Sequence, residues 1–307
     1  MSTRTSLSGN ATGLTIGTLF DTHAHFYTSD IHTYPVDPTG AREGEEALIK
    51  RMLADPGTPE RIFGLWDASN VIAGVAVQYN TAYKTDNRYL LKVREDHPER
   101  VKAVAILDAN DPCTPDKLRR MVQCAGVTGL RLVGYSGSDG SFSFLTSADA
   151  METWAEAERL RIALVLMVRL RPHESPEPAL TRIGELATKF SRLRVVLDHC
   201  CWPETSSSSD AVGFTPGHHA LVSRENVFFK VTSLNFGRLK RDGVETHRFI
   251  RTAVDLFGAD RLMWGSDFGN TLTEYALLAR DARQSGALLS DSERRAYLHD
   301  TGAGLFA

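Results

Sequence analysis

Short apolar segments recur along the chain and alternate with longer segments whose apolar residues are spaced as on one face of a helix. The apolar segments are nearly continuous runs of Val, Ile, Leu and Ala, which is typical of parallel strands covered on both faces. They predict eight strands, at 18–24, 71–78, 101–107, 128–133, 161–168, 193–199, 226–232 and 261–267. The longer segments predict helices at 86–100, 114–125, 147–160, 178–190, 244–258 and 271–286.

This alternation predicts an α/β fold, a (β/α)8 TIM barrel. An open, doubly wound parallel sheet is the alternative, but no glycine-rich phosphate loop follows the first strand to favour it. We divide the chain into a flexible N-terminal arm at 1–17 and one barrel domain at 18–307. The proline-containing segment after strand one, about 26–60, predicts a long lid loop, and 203–218 is a second candidate lid.

Polar residues stand at the ends of the apolar strands, where a barrel of this kind carries its chemistry. Strand one has Asp21, His23 and His25 at every second position, so the three side chains are predicted to share one face. Such groups are costly to bury unless they pair, hydrogen-bond or bind something. His199 ends strand six and Asp267 ends strand eight. Together these residues predict a catalytic site rather than isolated structural histidines.

Other polar residues near the strand ends are candidates for substrate binding. The set is Arg131, Arg169, Gln78 and Tyr135, with Arg171 and Arg238 as further arginines. Arg131 is the preferred carboxylate-binding residue because it stands within a strand, and a guanidinium binds a carboxylate through two hydrogen bonds. Each arginine could instead form an exterior salt bridge.

Several residues keep two interpretations open. Lys230 could lie along the barrel wall, and Asp198 could orient its neighbours or react. His218 and His219 stand in a polar loop and are expected at the surface, as are five other histidines: His32, His97, His173, His247 and His299.

Composition narrows the partners and the compartment. The chain is 42% hydrophobic with a net charge of −3, so no strong field attracts nucleic acid or a membrane surface. No apolar run approaches the ~18 residues of a membrane span, and the first 17 residues do not resemble a signal peptide. The four cysteines fit no zinc or redox motif, which favours reduced thiols in a cytoplasmic protein. We expect a small, anionic substrate and consider a homodimer.

Two motifs resemble the amidohydrolase superfamily: Asp-Thr-His-Ala-His at 21–25 and Arg-Leu-Met-Trp-Gly-Ser-Asp-Phe-Gly-Asn-Thr at 261–271. The closer resemblance is to the branch that contains 2-pyrone-4,6-dicarboxylate lactonase, and it covers most of the chain from about residue 18. Supporting segments lie at 77–91, 97–108, 126–132, 195–199 and 226–234. The resemblance implies a barrel hydrolase. Its site residues would be His23, His25, His199 and Asp267.

The resemblance also bears on whether the protein binds a divalent metal ion. In metal-dependent members these residues gather one divalent ion, so His23, His25 and Asp267 are the expected ligands if a single ion is bound. Strand five lacks the Lys or His that normally completes the set, which argues against a two-metal centre. Zinc accepts three protein ligands plus water, whereas some members of the branch work without metal. The expectation is therefore no cofactor or one divalent ion, zinc before others.

The implied reaction is the opening of a carboxylated lactone, or a similar cyclic ester, by water. Asp267 would be the general base, and His23, His25 and His199 would polarise the carbonyl. Two alternatives remain: a single-zinc decarboxylase or amidohydrolase, and a catalytically silent binding barrel. The segment Phe268–Asn270 departs from the Trp-Pro-His that family members often have there, so that side of the pocket is expected to differ.

Overall fold

The computed structural model describes residues 17–205 and 212–307, and within them eight strands form one parallel sheet in chain order. The strands are β1 (Leu19–Ala24), β2 (Val71–Val77), β3 (Val101–Ile106), β4 (Val127–Tyr135), β5 (Ala163–Arg169), β6 (Arg194–Leu197), β7 (Val227–Thr232) and β8 (Leu262–Gly265). Each coincides with a predicted strand to within a few residues. The predicted (β/α)8 barrel is therefore confirmed.

Helices separate the strands, and the six predicted ones all occur. In the described part of the chain they are α1 (Glu45–Ala54), α2 (Pro59–Ala68), α3 (Asn80–Tyr83), α4 (Arg88–Asp96), α5 (Thr114–Ala125), α6 (Ser143–Thr146), α7 (Ala148–Leu160), α8 (Glu177–Lys189), α9 (Pro216–Ala220), α10 (Ser233–Arg241), α11 (Thr246–Phe257), α12 (Tyr275–Ser285), α13 (Asp291–Arg295) and α14 (Thr301–Leu305). Helix α1 and the start of α2 occupy the second half of the segment 26–60, where no helix was predicted. No helix among the described residues is long and apolar enough to cross a membrane.

The barrel closes where β8 meets β1. The backbone nitrogen of Asp267 donates to the carbonyl oxygen of His23 at 2.7 Å, and the Thr22 hydroxyl donates to the carbonyl oxygen of Trp264 at 2.6 Å. Gly265 permits this approach, because a Cβ there would lie 2.5 Å from the Cβ of His23. The closure therefore fixes His23, near the end of β1, beside Asp267, which lies two residues after the end of β8.

Asp21 belongs to this closure and not to the cluster formed by His23 and His25. Its carboxylate accepts hydrogen bonds from the Ser266 backbone nitrogen and hydroxyl, at 2.8 and 2.6 Å, and from the Tyr275 hydroxyl at 2.9 Å. The expected shared face is wrong because the pairing of β1 with β2 shifts register after Asp21. Burial raises the pKa of the Asp21 carboxyl, and these hydrogen bonds oppose the effect.

Two apolar clusters hold the barrel together. One lies between the strands and the surrounding helices, and the other fills the barrel with inward-facing residues such as Val75, Val165 and Met263. Phe306 and Leu305, at the end of α14, join the inner cluster. The Phe306 ring is fully buried and lies 5.7 Å from the Lys230 ammonium. The C-terminal residues thus plug the barrel below the level of the site.

The candidate second lid, 203–218, is packed where it is described. Phe214 is buried against Phe249 and Phe257, and His218 is fully buried with its Nε2 2.8 Å from the carbonyl oxygen of Cys200. The surface position expected for His218 is therefore wrong, as is that expected for His299, which is also buried. Burial lowers the pKa of His218 to about 4. Residues 206–211 of this loop, and 1–16 of the predicted N-terminal arm, lie outside the described residues. All four cysteines are free thiols, as predicted.

Replacing Phe306 with alanine is expected to lower the free energy of unfolding by about 3–5 kcal/mol, because the vacated space inside the barrel cannot fully collapse. Urea denaturation of the variant and the parent protein measures this difference. Leu288→Ala is the control, since Leu288 is 50% exposed and its truncation removes little buried surface. Equal midpoints for the two variants would show that the Phe306 ring does not fill the barrel.

Candidate active site

Strand β1 brings two imidazoles to the C-terminal end of the barrel. His25 Nδ1 lies 2.9 Å from the carbonyl oxygen of Val77, which only accepts, so the neutral ring presents its lone pair at Nε2. That nitrogen lies 3.4 Å from Asp267 Oδ1. His23 Nε2 lies 3.6 Å from the same oxygen, while its Nδ1 faces Asp198 Oδ1 at 3.5 Å. Burial lowers the pKa of His23 well below its ordinary value, which favours the neutral ring.

Asp267 follows β8 in a left-handed backbone conformation, with φ of 54°. Its Oδ2 accepts hydrogen bonds from Asn270 Nδ2 at 3.0 Å and from the Thr271 hydroxyl at 2.9 Å. These bonds turn Oδ1 towards His23 and His25. Burial raises the pKa of Asp267, whereas its interactions with the His25, His23 and His199 imidazoles lower it, and the balance lies below the ordinary value. A non-glycine residue in this conformation is strained, and such strain is common at functional sites.

His23, His25 and Asp267 fit a single divalent ion. One donor atom from each lies within 4.8 Å of the other two, and all three residues are buried. Ligand atoms of a tetrahedral ion with bonds of about 2.1 Å stand about 3.4 Å apart, which matches the measured separations of 3.4 and 3.6 Å. Both ring nitrogens of His23 are buried without a hydrogen-bond partner. Two imidazoles and a carboxylate are a ligand set that zinc prefers.

A buried charged group lies behind His23. Asp198 Oδ2 accepts a hydrogen bond from Arg131 Nε at 2.7 Å, and Lys230 Nζ lies 3.0 Å from Oδ1. Burial alone would raise the pKa of Asp198, but the charges of Lys230 and Arg131 hold it well below its ordinary value. Of the interpretations left open for Asp198 and Lys230, the structure supports orientation of His23 by a carboxylate whose charge Lys230 balances.

His199 reaches the same cavity through an unusual turn. Residues 199–202 all have φ between 51° and 60°, a left-handed turn directly after β6. The turn places His199 Nδ1 2.6 Å from the Thr232 hydroxyl and stacks the ring on Trp202, with centroids 4.8 Å apart. Burial lowers the pKa of His199 to about 4. His199 lies next to the three converging groups, with its ring centroid 5.6 Å from that of His23, but is not one of them.

A cavity of about 170 Å³ opens above these residues. Its lining residues are His25, Gly40, Arg42, Tyr79, Asn80, Thr81, Arg131, Val133, Met167, Arg169, His199, Trp202, Leu234, Asp267 and Asn270. Three of them are arginines, and Asp267 is the single acidic residue in this lining. The cavity therefore favours a small anionic ligand.

Only two of the four predicted substrate-binding residues line the cavity. Arg131 and Arg169 line the cavity, although Arg131 also binds Asp198. Gln78 does not reach it, because its side-chain amide donates to the backbone carbonyl of Asp86 at 2.5 Å. Tyr135 is 42% exposed, and its ring packs against the Arg169 guanidinium, 4.8 Å from the centroid, outside the cavity lining. Gln78 and Tyr135 therefore lie outside the cavity lining, unlike Arg131 and Arg169.

Among the cavity residues that the sequence did not predict are Arg42, Tyr79 and Trp202. Arg42 stands in a segment without periodicity, so no pattern marked it. Tyr79 directly follows Gln78, the residue predicted at this strand end, so the prediction differs from the cavity lining by one position. Trp202 enters the cavity only because of the left-handed turn after β6, which the apolar pattern does not encode.

Comparisons with known proteins show which proteins this chain resembles. The chain is 24% identical over 220 residues to the L-fucono-1,5-lactonase of Burkholderia ambifaria, covering 68% of this chain and 70% of that protein. A Pseudomonas putida protein assigned as a 2-pyrone-4,6-dicarboxylic acid hydrolase has the same fold, with a TM-score of 0.68, 22% identity and coverage of 95% of this chain and 98% of that one. An amidohydrolase from Burkholderia multivorans with bound zinc superposes with a TM-score of 0.72 at 21% identity, covering 94% and 99%.

The family assignment rests on a match along almost the whole barrel. A model of the family described as amidohydrolase matches residues 20–307, a range that contains the His23–His25 pair, His199 and Asp267. The resemblance found in the two sequence motifs is confirmed. This chain belongs to the amidohydrolase family.

Proposed function

We propose that this protein opens a carboxylated lactone by water attack, with one divalent ion held by His23, His25 and Asp267. The observation that carries the proposal is the convergence of three acceptor atoms at the floor of a cavity lined by three arginines. The acceptors provide a place for a cation, and the arginines provide a place for an anion. A lactone with a carboxylate group meets both requirements.

The tautomer of His25 favours the version with an ion over direct polarisation by histidines. Its Nδ1 donates to Val77, so the neutral ring has no hydrogen at Nε2 to offer a carbonyl oxygen. The same lone pair suits a ligand. When bound, a divalent ion would supply Lewis-acid polarisation of the lactone carbonyl and of the attacking water. Zinc is the first choice for two imidazoles and one carboxylate.

Asp267 is placed to move the proton. Oδ2 is held by Asn270 and Thr271, which leaves Oδ1 as the oxygen facing the cavity floor. Oδ1 has two lone pairs, so one can face the ion while the other accepts a proton from water as the water adds to the carbonyl carbon. The same group returns the proton to the ring oxygen when the ester bond breaks. His199, held by Thr232 and stacked on Trp202, borders the reacting carbonyl as a neutral imidazole.

The arginines hold the carboxylate group of the substrate. Arg131 binds Asp198 through Nε alone, and among the described residues none accepts a hydrogen bond from its two Nη groups. Arg169 approaches from the end of β5 and is steadied by the Tyr135 ring. Binding by these fixed groups orients the lactone ring over Asp267.

The proposed reaction is tested with a panel of carboxylated and neutral lactones, followed by acid release and by carbon dioxide release. We expect hydrolysis of at least one carboxylated lactone and a loss of about 10³-fold or more in kcat/KM for Asp267→Asn. Asp281→Asn, a surface change of the same kind, is the control and should retain full activity. Carbon dioxide release would instead identify a decarboxylase, and tight binding without turnover would identify a binding protein.

Metal content gives a separate prediction. Protein purified without chelators is expected to contain about one divalent ion per chain by elemental analysis, and His25→Ala is expected to contain almost none. Removal with a chelator should abolish turnover and added zinc should restore it. His32→Ala, at an exposed histidine, should keep the ion. Full activity in metal-free protein would mean that the histidines polarise the carbonyl without an ion.

Loss of a carboxylate contact should depend on the substrate. Arg169→Met is expected to raise KM for a carboxylated lactone about 10- to 100-fold, since a hydrogen bond to a charged group contributes about 1.5–3 kcal/mol. KM for a neutral lactone should change less than about twofold, because no ion pair is lost. Arg192→Met, at an exposed arginine, is the control. Equal changes for both substrates would contradict a carboxylate contact.

A further inference from the structure

We infer that Arg42 is a specificity-determining residue for anionic substrates, and that Glu43 and Arg51 are positioning residues that hold it at the mouth of the cavity. The inference rests on the proposed function of the same cavity and names a part of the substrate recognition that comes from outside the barrel. It assigns a role to the segment between β1 and α1.

Arg42 differs from the other two arginines of the cavity in having no protein partner. Arg131 binds Asp198, and Arg169 packs on Tyr135. Among the described residues, none forms a hydrogen bond or ion pair with Arg42, although its side chain lines the cavity. An unpaired guanidinium at the edge of a pocket is free to bind an incoming carboxylate with two hydrogen bonds.

The residue after Arg42 is clamped. Both oxygens of Glu43 accept hydrogen bonds from Arg51 of α1, from Nη2 at 2.6 Å and from Nε at 3.1 Å. The same guanidinium donates to the hydroxyls of Tyr79 at 2.8 Å and Tyr27 at 3.0 Å. Because four bonds converge on Arg51, the position of Glu43 is fixed relative to the barrel.

Tyr79 connects this clamp to the reacting groups. Its hydroxyl donates to the carbonyl oxygen of Gly269, two residues after Asp267, at 3.1 Å. Its ring stacks on His25 with centroids 5.0 Å apart. Burial raises the pKa of Tyr79 to about 12, so the hydroxyl stays a donor to Gly269. Glu43 and His25 are thus joined through Arg51 and Tyr79.

A second clamp holds the other side of Arg42. The Lys84 ammonium donates to the carbonyl oxygen of Thr39 at 2.8 Å. Lys84 itself has φ of 49°, and Gln78 donates to its carbonyl oxygen. The three residues from Gly40 to Arg42 therefore span the gap between two fixed points. This arrangement also gives Gln78 a structural role in place of the substrate contact predicted for it.

Because the two clamps position Arg42 and not the reacting groups, weakening a clamp should change KM and not kcat. If Glu43 loses its charge, the bidentate pair weakens and Arg42 samples a wider range of positions. Binding of an anion then weakens, whereas the atoms that perform the reaction, carried by β1 and β8, keep their places. KM for anionic substrates should rise while kcat stays nearly constant.

A double-mutant cycle tests this coupling in the full-length, metal-loaded protein. Arg42→Met should raise KM for the best carboxylated lactone about 10-fold, and Glu43→Gln about 3-fold, with kcat within about twofold of the parent. In the Arg42→Met background, Glu43→Gln should have no further effect, because its action passes through Arg42. Glu46→Gln, an identical charge change three residues away, and Lys50→Met, a cation removed from the same helix, are the controls.

Additive effects of Arg42→Met and Glu43→Gln, or an equal rise in KM for a neutral lactone, would overturn the positioning role. No effect of Arg42→Met on KM would overturn the specificity role. Calorimetric binding of isophthalate separates this inference from the proposed function. Suppose that the protein binds isophthalate, that Arg42→Met weakens this binding, and that no lactone is hydrolysed. The lactonase proposal would then be wrong, whereas the contact between Arg42 and an anion would be supported. Absence of both binding and turnover would overturn the two together.

Discussion

The site depends on three acceptor atoms that point at one another: His23 Nε2, His25 Nε2 and Asp267 Oδ1. Each is fixed from behind by a separate partner: Asp198 behind His23, the Val77 carbonyl behind His25, and Asn270 with Thr271 behind Asp267. Buried acceptors without a donor between them are unfavourable, because each has lost its hydration and gained nothing in return. Positive charge at their centre offsets this cost. The divalent ion proposed above would supply that charge at the spacing already present.

Charge compensation explains why this cluster can be buried at all. Asp198 would be costly alone, and Lys230 and Arg131 neutralise it at 3.0 and 2.7 Å. Removing one member of such a buried set leaves an uncompensated charge, which typically costs about 3–5 kcal/mol. Lys230 therefore acts at a distance from the cavity, through Asp198 and the orientation of His23. Lys230 is thus both a residue of the barrel wall and a member of the network that orients His23.

The sequence predicted the features that follow from simple periodicity. Continuous apolar runs identified all eight strands. The polar residues at their ends predicted that His23, His25 and Asp267 lie together, with His199 beside them. Asp21 was misplaced because alternation along a strand holds only while the register is regular, and β1 shifts after Asp21. Gln78 was misplaced because a position at a strand end does not determine where a long side chain points. Arg42 was missed because its position depends on hydrogen bonds from residues that are distant in sequence, Lys84 and Arg51, and no local pattern reveals them.

The barrel and the segment before α1 contribute different parts of recognition. The barrel floor is assembled from strand ends whose backbone positions are set by the sheet, so it suits groups that need fixed spacing, such as the three acceptors. The segment at 40–42 is held at its ends by Lys84 and Arg51 and in its middle by Ala41, whose backbone nitrogen donates to the carbonyl oxygen of Pro38 at 2.9 Å. The Arg42 side chain is therefore presented from a fixed backbone. A carboxylate that enters between Arg42 and Arg169 reduces the mutual repulsion of cations around a cavity with one acidic residue. An anionic substrate of the kind proposed would thus offset the positive charge around the cavity.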